Sequence, residues 1–299
     1  MWRELYWKTG LKSDAVFFYL AGLFFALLGI VLSKIIFAQN IGLVAVFLAA
    51  LAAISLVDKQ LSLSEYMLTR LRPIPLQIQK REDLVQAQDR ATIKSIFHDH
   101  YPLFKTYFFL FLGVMTCFSI LTLLVPESDS NALFGEQFKT IFGRGAETIS
   151  NSSTGYATNW FSTFYGLLSN NLVVLVVAFG LALVFEFGTT FLIIWNASVW
   201  GTAFAFAAKT TTILLHEDPI LNFLFLMAIV FPHLVLEALA YFSATIGGGL
   251  LNKALLAEPV SSFRFKLIAS RTLLLFVLGV CLLGAAAGVE TLAIIFLRG

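Results

Sequence analysis

Charge is scarce in this chain. Only 13% of its 299 residues are Asp, Glu, Lys or Arg, and 20 cations against 18 anions leave a formal charge of +2. No charged stretch of mixed periodicity is long enough to build a large soluble domain, which excludes that class. Cysteine is nearly absent too. Cys117 and Cys281 each lie inside an apolar run, so there is no disulfide framework and no metal-ligand spacing, and such thiols are expected to be inert packing residues. Phosphate-binding glycine loops with lysine, dinucleotide fingerprints and GxSxG contexts are missing, so nothing defines an enzyme reaction or a cofactor. The one basic stretch is mixed with acid and lacks interleaved aromatics, which argues against nucleic acid.

Apolar residues fill the space that charge leaves. They make up 59% of the chain, with 31 phenylalanines and a mean hydropathy of +0.85. Runs of about twenty uncharged residues recur, each long enough to cross a bilayer as a helix. The expected fold is an all-α, polytopic membrane bundle of about seven transmembrane helices with short interfacial helices. The spans are read near Ala15–Ile36, Ile41–Val57, Phe104–Val125, Asn170 to the glycine before Thr189, Thr189–Ala208, Pro219–Leu250 and Leu267–Leu297. The opening MWRELYWKTGLKSD has no small-residue cleavage site close behind the first run, so it is expected to remain as a surface anchor.

The loops divide the chain. Residues 1–57 form a transmembrane hairpin, and 58–100 a linker carrying Lys59, Arg70, Arg72, Lys80, Arg81, Arg90 and Lys94 among its acids. Residues 101–299 form a five-helix membrane domain with a loop at 126–169. Two aromatic phrases in that loop, LFGEQFKTIF and NWFSTFYGLL, are too short to cross and suit the interface, or a dip into it. Basic residues favour the cytoplasmic side. Placing 58–100 there also puts the basic loop with Lys253, Arg264 and Lys266 inside. The 126–169 loop and the HEDP turn at His216–Pro219, both acidic, then fall outside. The expectation is a multi-pass cell-membrane protein with its N-terminus cytoplasmic and its C-terminus outside.

A few polar residues sit where hydrocarbon penalises them. Within PILNFLFLMAIVFPHLVLEALAYFSATIGGGL, His233 and Glu237 are four apart and share a helix face, directly behind Pro232. Pro232 removes a backbone donor and kinks a helix. The structural reading is a polar joint in which His233 bonds Glu237 or another helix. The functional reading is a proton- or ion-coupled site. One His and one Glu are too few for a zinc site, so a metal role stays undefined. Glu186 and Glu290 are further carboxylates in apolar surroundings, expected at depths different from Glu237. Asn171 and Asn196 are candidates for bonds across helices, and Asn171 equally for a cap at the start of its own helix. Gly180, Gly201, Gly247, Gly248 and Gly249 permit close approach, the last three also marking a helix end. Small-residue faces also leave room for a homo-oligomer.

The phrases NNLVVLVVAFGLALVFEFGTTFLIIWNASVWG and FPHLVLEALAYFSATIGGGL resemble the membrane region of the stage II sporulation protein M family. The matching positions are Asn171, Gly180, Thr189, Asn196, Gly201, Pro232, His233, Glu237 and Ala240, and Glu290 after GAAAG resembles the acid of that family's last helix. The likeness covers about residues 100–297. Ala197 and Leu234 depart from it, each standing where the family carries glycine. The sporulation member is a membrane anchor that recruits cell-wall hydrolases during engulfment, and relatives extend to organisms without that process. The resemblance therefore implies a scaffold or assembly component with protein partners in the lipid. A small transporter or channel coupled through His233 and Glu237 is the rival, its substrate undefined.

Overall fold

The computed structural model describes residues 15–37, 39–70, 93–126, 129–140, 160–215 and 218–298. Every regular element among them is helical: α1 (Ala15–Ile36), α2 (Ile41–Arg70), α3 (Ile93–Leu124), α4 (129–140), α5 (Trp160–Val184), α6 (Glu186–Leu215), α7 (Pro219–Ala257) and α8 (Phe263–Arg298). Seven of these, all but α4, are long and apolar enough to cross a membrane. Helix is the form such runs must take, because hydrocarbon offers no partner to an unpaired backbone group. Some hydroxyls within the spans are met by their own helix: Thr116 and Thr291 donate to the carbonyls of Leu112 and Ala287 at 2.8 and 2.7 Å.

Several boundaries depart from the sequence reading, among them the start of α3 at Ile93, inside the stretch read as linker. Helix α2 continues past Asp58 to Arg70, and the rest of the linker from 71 to 92 lies outside the described residues. Helix α5 begins at Trp160, so WFSTFYGLL of the second aromatic phrase belongs to a spanning helix and is not a separate interfacial piece. Trp160 and Phe164, one turn apart, stack at 5.1 Å along it. Helix α7 runs through all three glycines to Ala257. The glycines do not end it, because close packing against α5 and α8 holds the helix where propensity alone would weaken it. Its start is conventional: Asp218 accepts from the backbone N–H groups of Ile220 and Leu221 at 2.7 and 3.3 Å, with Pro219 in the first turn.

Helix α7 is the hub. It packs on α5, α6 and α8, and touches α2 and α3. At 39 residues it is about 58 Å long at 1.5 Å per residue. Its two halves differ: Ile220, Leu221, Leu224 and Phe225 are exposed, whereas every residue from Tyr241 to Leu250 is buried. Helices α1 and α2 pack against α3, and their alanines join one apolar core with α3, α6 and α7. The hairpin is thus built into the same core as the rest. In that core Phe111 of α3 meets Phe242 of α7 and Trp200 of α6 at 6.0 and 5.2 Å.

The helices cross through glycine. A side chain at Gly22 would run into the Leu110 carbonyl, and one at Gly113 into the Tyr19 carbonyl, so α1 and α3 interlock from both sides. Gly29 meets the Ala45 carbonyl of α2, Gly201 the Met115 carbonyl of α3, and Gly248 the Phe179 carbonyl of α5. Small residues allow this approach, and packing then drives association, since lipid is as apolar as the side chains. Helix α4 dips into the bundle. Phe134 packs on Phe118 and Phe138 on Phe206, with centroids 6.0 and 4.9 Å apart.

Candidate functional site: an intramembrane polar joint

Helices α5 and α7 run parallel, as their contacts Phe179 to Gly248 and Leu183 to Asn252 show. That register brings Asn171 level with Glu237. Asn171 Nδ2 donates to Glu237 Oε1 at 2.5 Å, and both residues are buried. Asn170 Nδ2 in turn donates to Asn171 Oδ1 at 3.3 Å. Because α5 starts eleven residues earlier, Asn171 is no helix cap. It lies near the middle of a 25-residue helix, a depth at which the bond replaces water that neither group can reach.

His233 is one turn before Glu237 on α7. It is half-buried, and its Nδ1 is enclosed without a hydrogen-bond partner among the described residues. Pro232, beside it, cannot donate to the carbonyl one turn earlier, that of Ala228. The joint therefore runs from Glu237 to α5, and not from His233 to Glu237. Leu234, at a position where glycine was expected from the resemblance, is buried in the core, as is Ala197.

The remaining candidates lie elsewhere. Helices α7 and α8 are antiparallel, with Gly279 against the Ala240 carbonyl and Thr272 against Gly247. Glu290 is then about 12 Å beyond Glu237 along the axis, at 1.5 Å per residue. It is half-buried, and no hydrogen bond joins it to a described residue. Glu186 opens α6, close behind the end of α5. Asn196 donates to the carbonyl of Leu192 in its own helix at 2.9 Å. Of the glycines, Gly201 and Gly248 make close backbone approaches, Gly247 meets Thr272, and Gly249 is buried. Gly180 faces open space, with nothing within 4 Å of where a side chain would begin. It is not a crossing point.

One turn from the joint, Ala178, Asn196, Ala238, Tyr241 and Thr245 border a crevice between α3, α5, α6 and α7. Its lining is almost wholly apolar, and it has room for about one water molecule. Among the described residues no three His, Cys, Asp or Glu side chains gather as metal ligands. Cys117 is buried and Cys281 exposed, both as free thiols.

Sequence reading missed several contacts. Lys253 pairs with Asp58 at 2.7 Å, tying the ends of α7 and the α2 span. Asn252 donates to the carbonyl of Leu183 at the end of α5. Lys209 donates to the carbonyl of Val125 at 2.5 Å, capping the end of α3. Arg271 is buried within the apolar run of α8. The signal for all four was the same as for Glu237, a hydrogen-bonding side chain within or at the edge of a span.

Seven apolar helices, interlocked through glycines and joined at mid-depth by an Asn–Glu bond, define a polytopic α-helical membrane protein. The chain belongs to the Stage II sporulation protein M family, whose sequence model matches residues 106–293. The match runs from within α3 to within α8, takes in both partners of the joint, and begins after α1 and α2. Comparison with curated proteins and with solved structures finds no match.

Proposed function

We propose that the protein is an integral membrane scaffold that organises partner proteins at the membrane, with the polar joint holding its bundle in one arrangement. The observation that supports this reading most is the Asn171–Glu237 bond, which spends the central carboxylate on helix-to-helix attachment amid tight packing. The neighbouring crevice is too small and apolar for a solute. The charge pattern supports a cytoplasmic N-terminus and an outside C-terminus, with the 58–100 segment and the 126–169 loop as surfaces for partners.

The test is a pair of measurements on the full chain. In vesicles, it is expected to dissipate proton, sodium and potassium gradients no faster than protein-free vesicles do. In the native membrane, photo-crosslinkers placed in 58–100 are expected to capture the same partners reproducibly, and Glu237→Gln to leave those adducts intact. A second reading, transport coupled through His233 and Glu237, has the enclosed His233 Nδ1 in its favour. A flux present in the unmodified protein and abolished by Glu237→Gln, with folding preserved, would establish it and displace the scaffold.

A further inference from the structure

Helix α7 is held in the bundle along only part of its length. Every buried residue on it lies beyond Pro232, from Leu234 to Ala254, and none in 219–233 is buried. Ahead of Pro232 only partly buried side chains, Met227 and Val230, pack against the apolar core. Helix α5 is too short to accompany this stretch. The two helices keep an offset of 66 to 69 residues, which sets Trp160, the first residue of α5, level with 226–229. Pro219 therefore stands about 10–15 Å beyond that start, at 1.5 Å per residue.

Helix α8 does accompany it, and it is weakened at the same level. The antiparallel register, Gly279 against Ala240 and Thr272 against Gly247, places Gly284 and Gly288 level with 235 and 231, on either side of Pro232. Pro232 leaves the Ala228 carbonyl without its helical donor and crowds it with the ring. Glycine inside a helix leaves the backbone free to bend, because no side chain restricts it. Close packing does not account for these two. Nothing lies within 4 Å of where a side chain would begin at Gly284 or Gly288, whereas Gly22, Gly113, Gly201 and Gly248 each face a carbonyl of another helix.

We propose that 219–231 of α7 and 289–298 of α8 form one arm, which bends about Pro232, Gly284 and Gly288 while the rest of the bundle stays fixed. The two segments move together because α8 packs chiefly on α7, and Ala287 and Thr291 are inaccessible at the base of the arm. The Asn171–Glu237 bond lies on the fixed side of Pro232, so the arm moves without opening the joint.

Spin-label distances by double electron–electron resonance test the bend, on the full chain in nanodiscs with both native cysteines replaced by serine. Leu51→Cys on α2 is the reference. It is paired in turn with Leu221→Cys and Ile295→Cys on the arm and with Leu273→Cys on the fixed part of α8, all exposed positions. Leu221 is about 16 Å from Pro232 along the helix, and a bend of about 20° carries it about 5–6 Å. The Leu51–Leu221 distribution is expected to be broader than the Leu51–Leu273 one by about that much, and Leu51–Ile295 by somewhat less. Pro232→Ala restores the missing donor. Gly284→Ala with Gly288→Ala stiffens α8 into open space. Each variant is expected to narrow both arm distributions and leave Leu51–Leu273 unchanged. Arm distributions no broader than Leu51–Leu273 in the unmodified protein would overturn the proposal. So would a breadth that survives either variant while Leu51–Leu273 stays unchanged, because the motion would then pivot elsewhere. Should Pro232→Ala spread Leu51–Leu273 as well, the glycine variant decides alone.

Discussion

Asn171 Nδ2 and Glu237 Oε1 meet at 2.5 Å in the middle of the bundle, joining the fourth spanning helix to the sixth. The bond does work for the fold only while an acceptor stands at position 237. Glu237→Gln retains one and is expected to melt within a few degrees of the unmodified protein in detergent. Glu237→Ala leaves the Asn171 amide buried without an acceptor, at a cost of about 1–3 kcal/mol. A double-mutant cycle with Asn171→Ala should give a coupling near 0.6 kcal/mol and at most about 1.7, the range for bonds between membrane helices. Zero coupling would mean that the two residues contribute to stability independently.

The reciprocal contacts of Gly22 and Gly113 make a sharper steric test. Each faces a backbone carbonyl of the other helix, which cannot rotate aside as a side chain can. Gly22→Val or Gly113→Val is expected to destabilise the chain by about 1–3 kcal/mol through overpacking, read as a lower melting temperature and loss of the monodisperse peak. Gly180→Leu is the control, since its position is open. If Gly180→Leu is as damaging as Gly22→Val, the crossing does not lie where the structure places it.

The contrast between Gly180 and Gly22 shows what a sequence conveys about this fold. Composition and run length carry the class and the seven spans, because the bilayer sets a minimum length that apolar runs either reach or miss. They carry little about helix rotation. Gly180 drew notice through its neighbours in a recognisable phrase, yet its face is open. Gly22 and Gly113 sit in runs so uniformly apolar that nothing distinguishes the inner stripe. Glu237 stood out because a carboxylate is rare in hydrocarbon, but its partner did not. Asn171 reads in the sequence as the start of a helix, since the aromatic phrase before it reads as interfacial, and that boundary hides a residue at mid-depth. His233 drew notice for the same reason as Glu237, although the bond went to α5.

Lys253 and Asp58 offer a test at the end of the bundle. Their ion pair at 2.7 Å connects α7 to α2, with the Asp58 side chain 43% exposed. Solvent screening at that exposure limits the pair to about 1 kcal/mol or less. Lys253→Asp alone places like charges together and is expected to lower the melting temperature slightly. Adding Asp58→Lys should restore it, and rising salt should shrink the difference between single and double variants. A double variant no better than the single would mean that the attraction contributes nothing.

The orientation of the bundle can be tested at its two ends. Lys209 caps Val125 at the end that also carries α4, whereas Lys253 and Asp58 meet at the opposite end. With both native cysteines replaced by serine, single cysteines at Ala132 and Ser261 place thiols at exposed positions of these two ends. An impermeant maleimide is expected to label Ala132→Cys in intact cells, and Ser261→Cys only after the membrane is opened, because the basic residues near Ser261 favour the cytoplasmic side. The reverse pattern would invert the orientation while keeping the fold. Labelling of both from one side would contradict the placement of α4 and the α7–α8 turn at opposite ends.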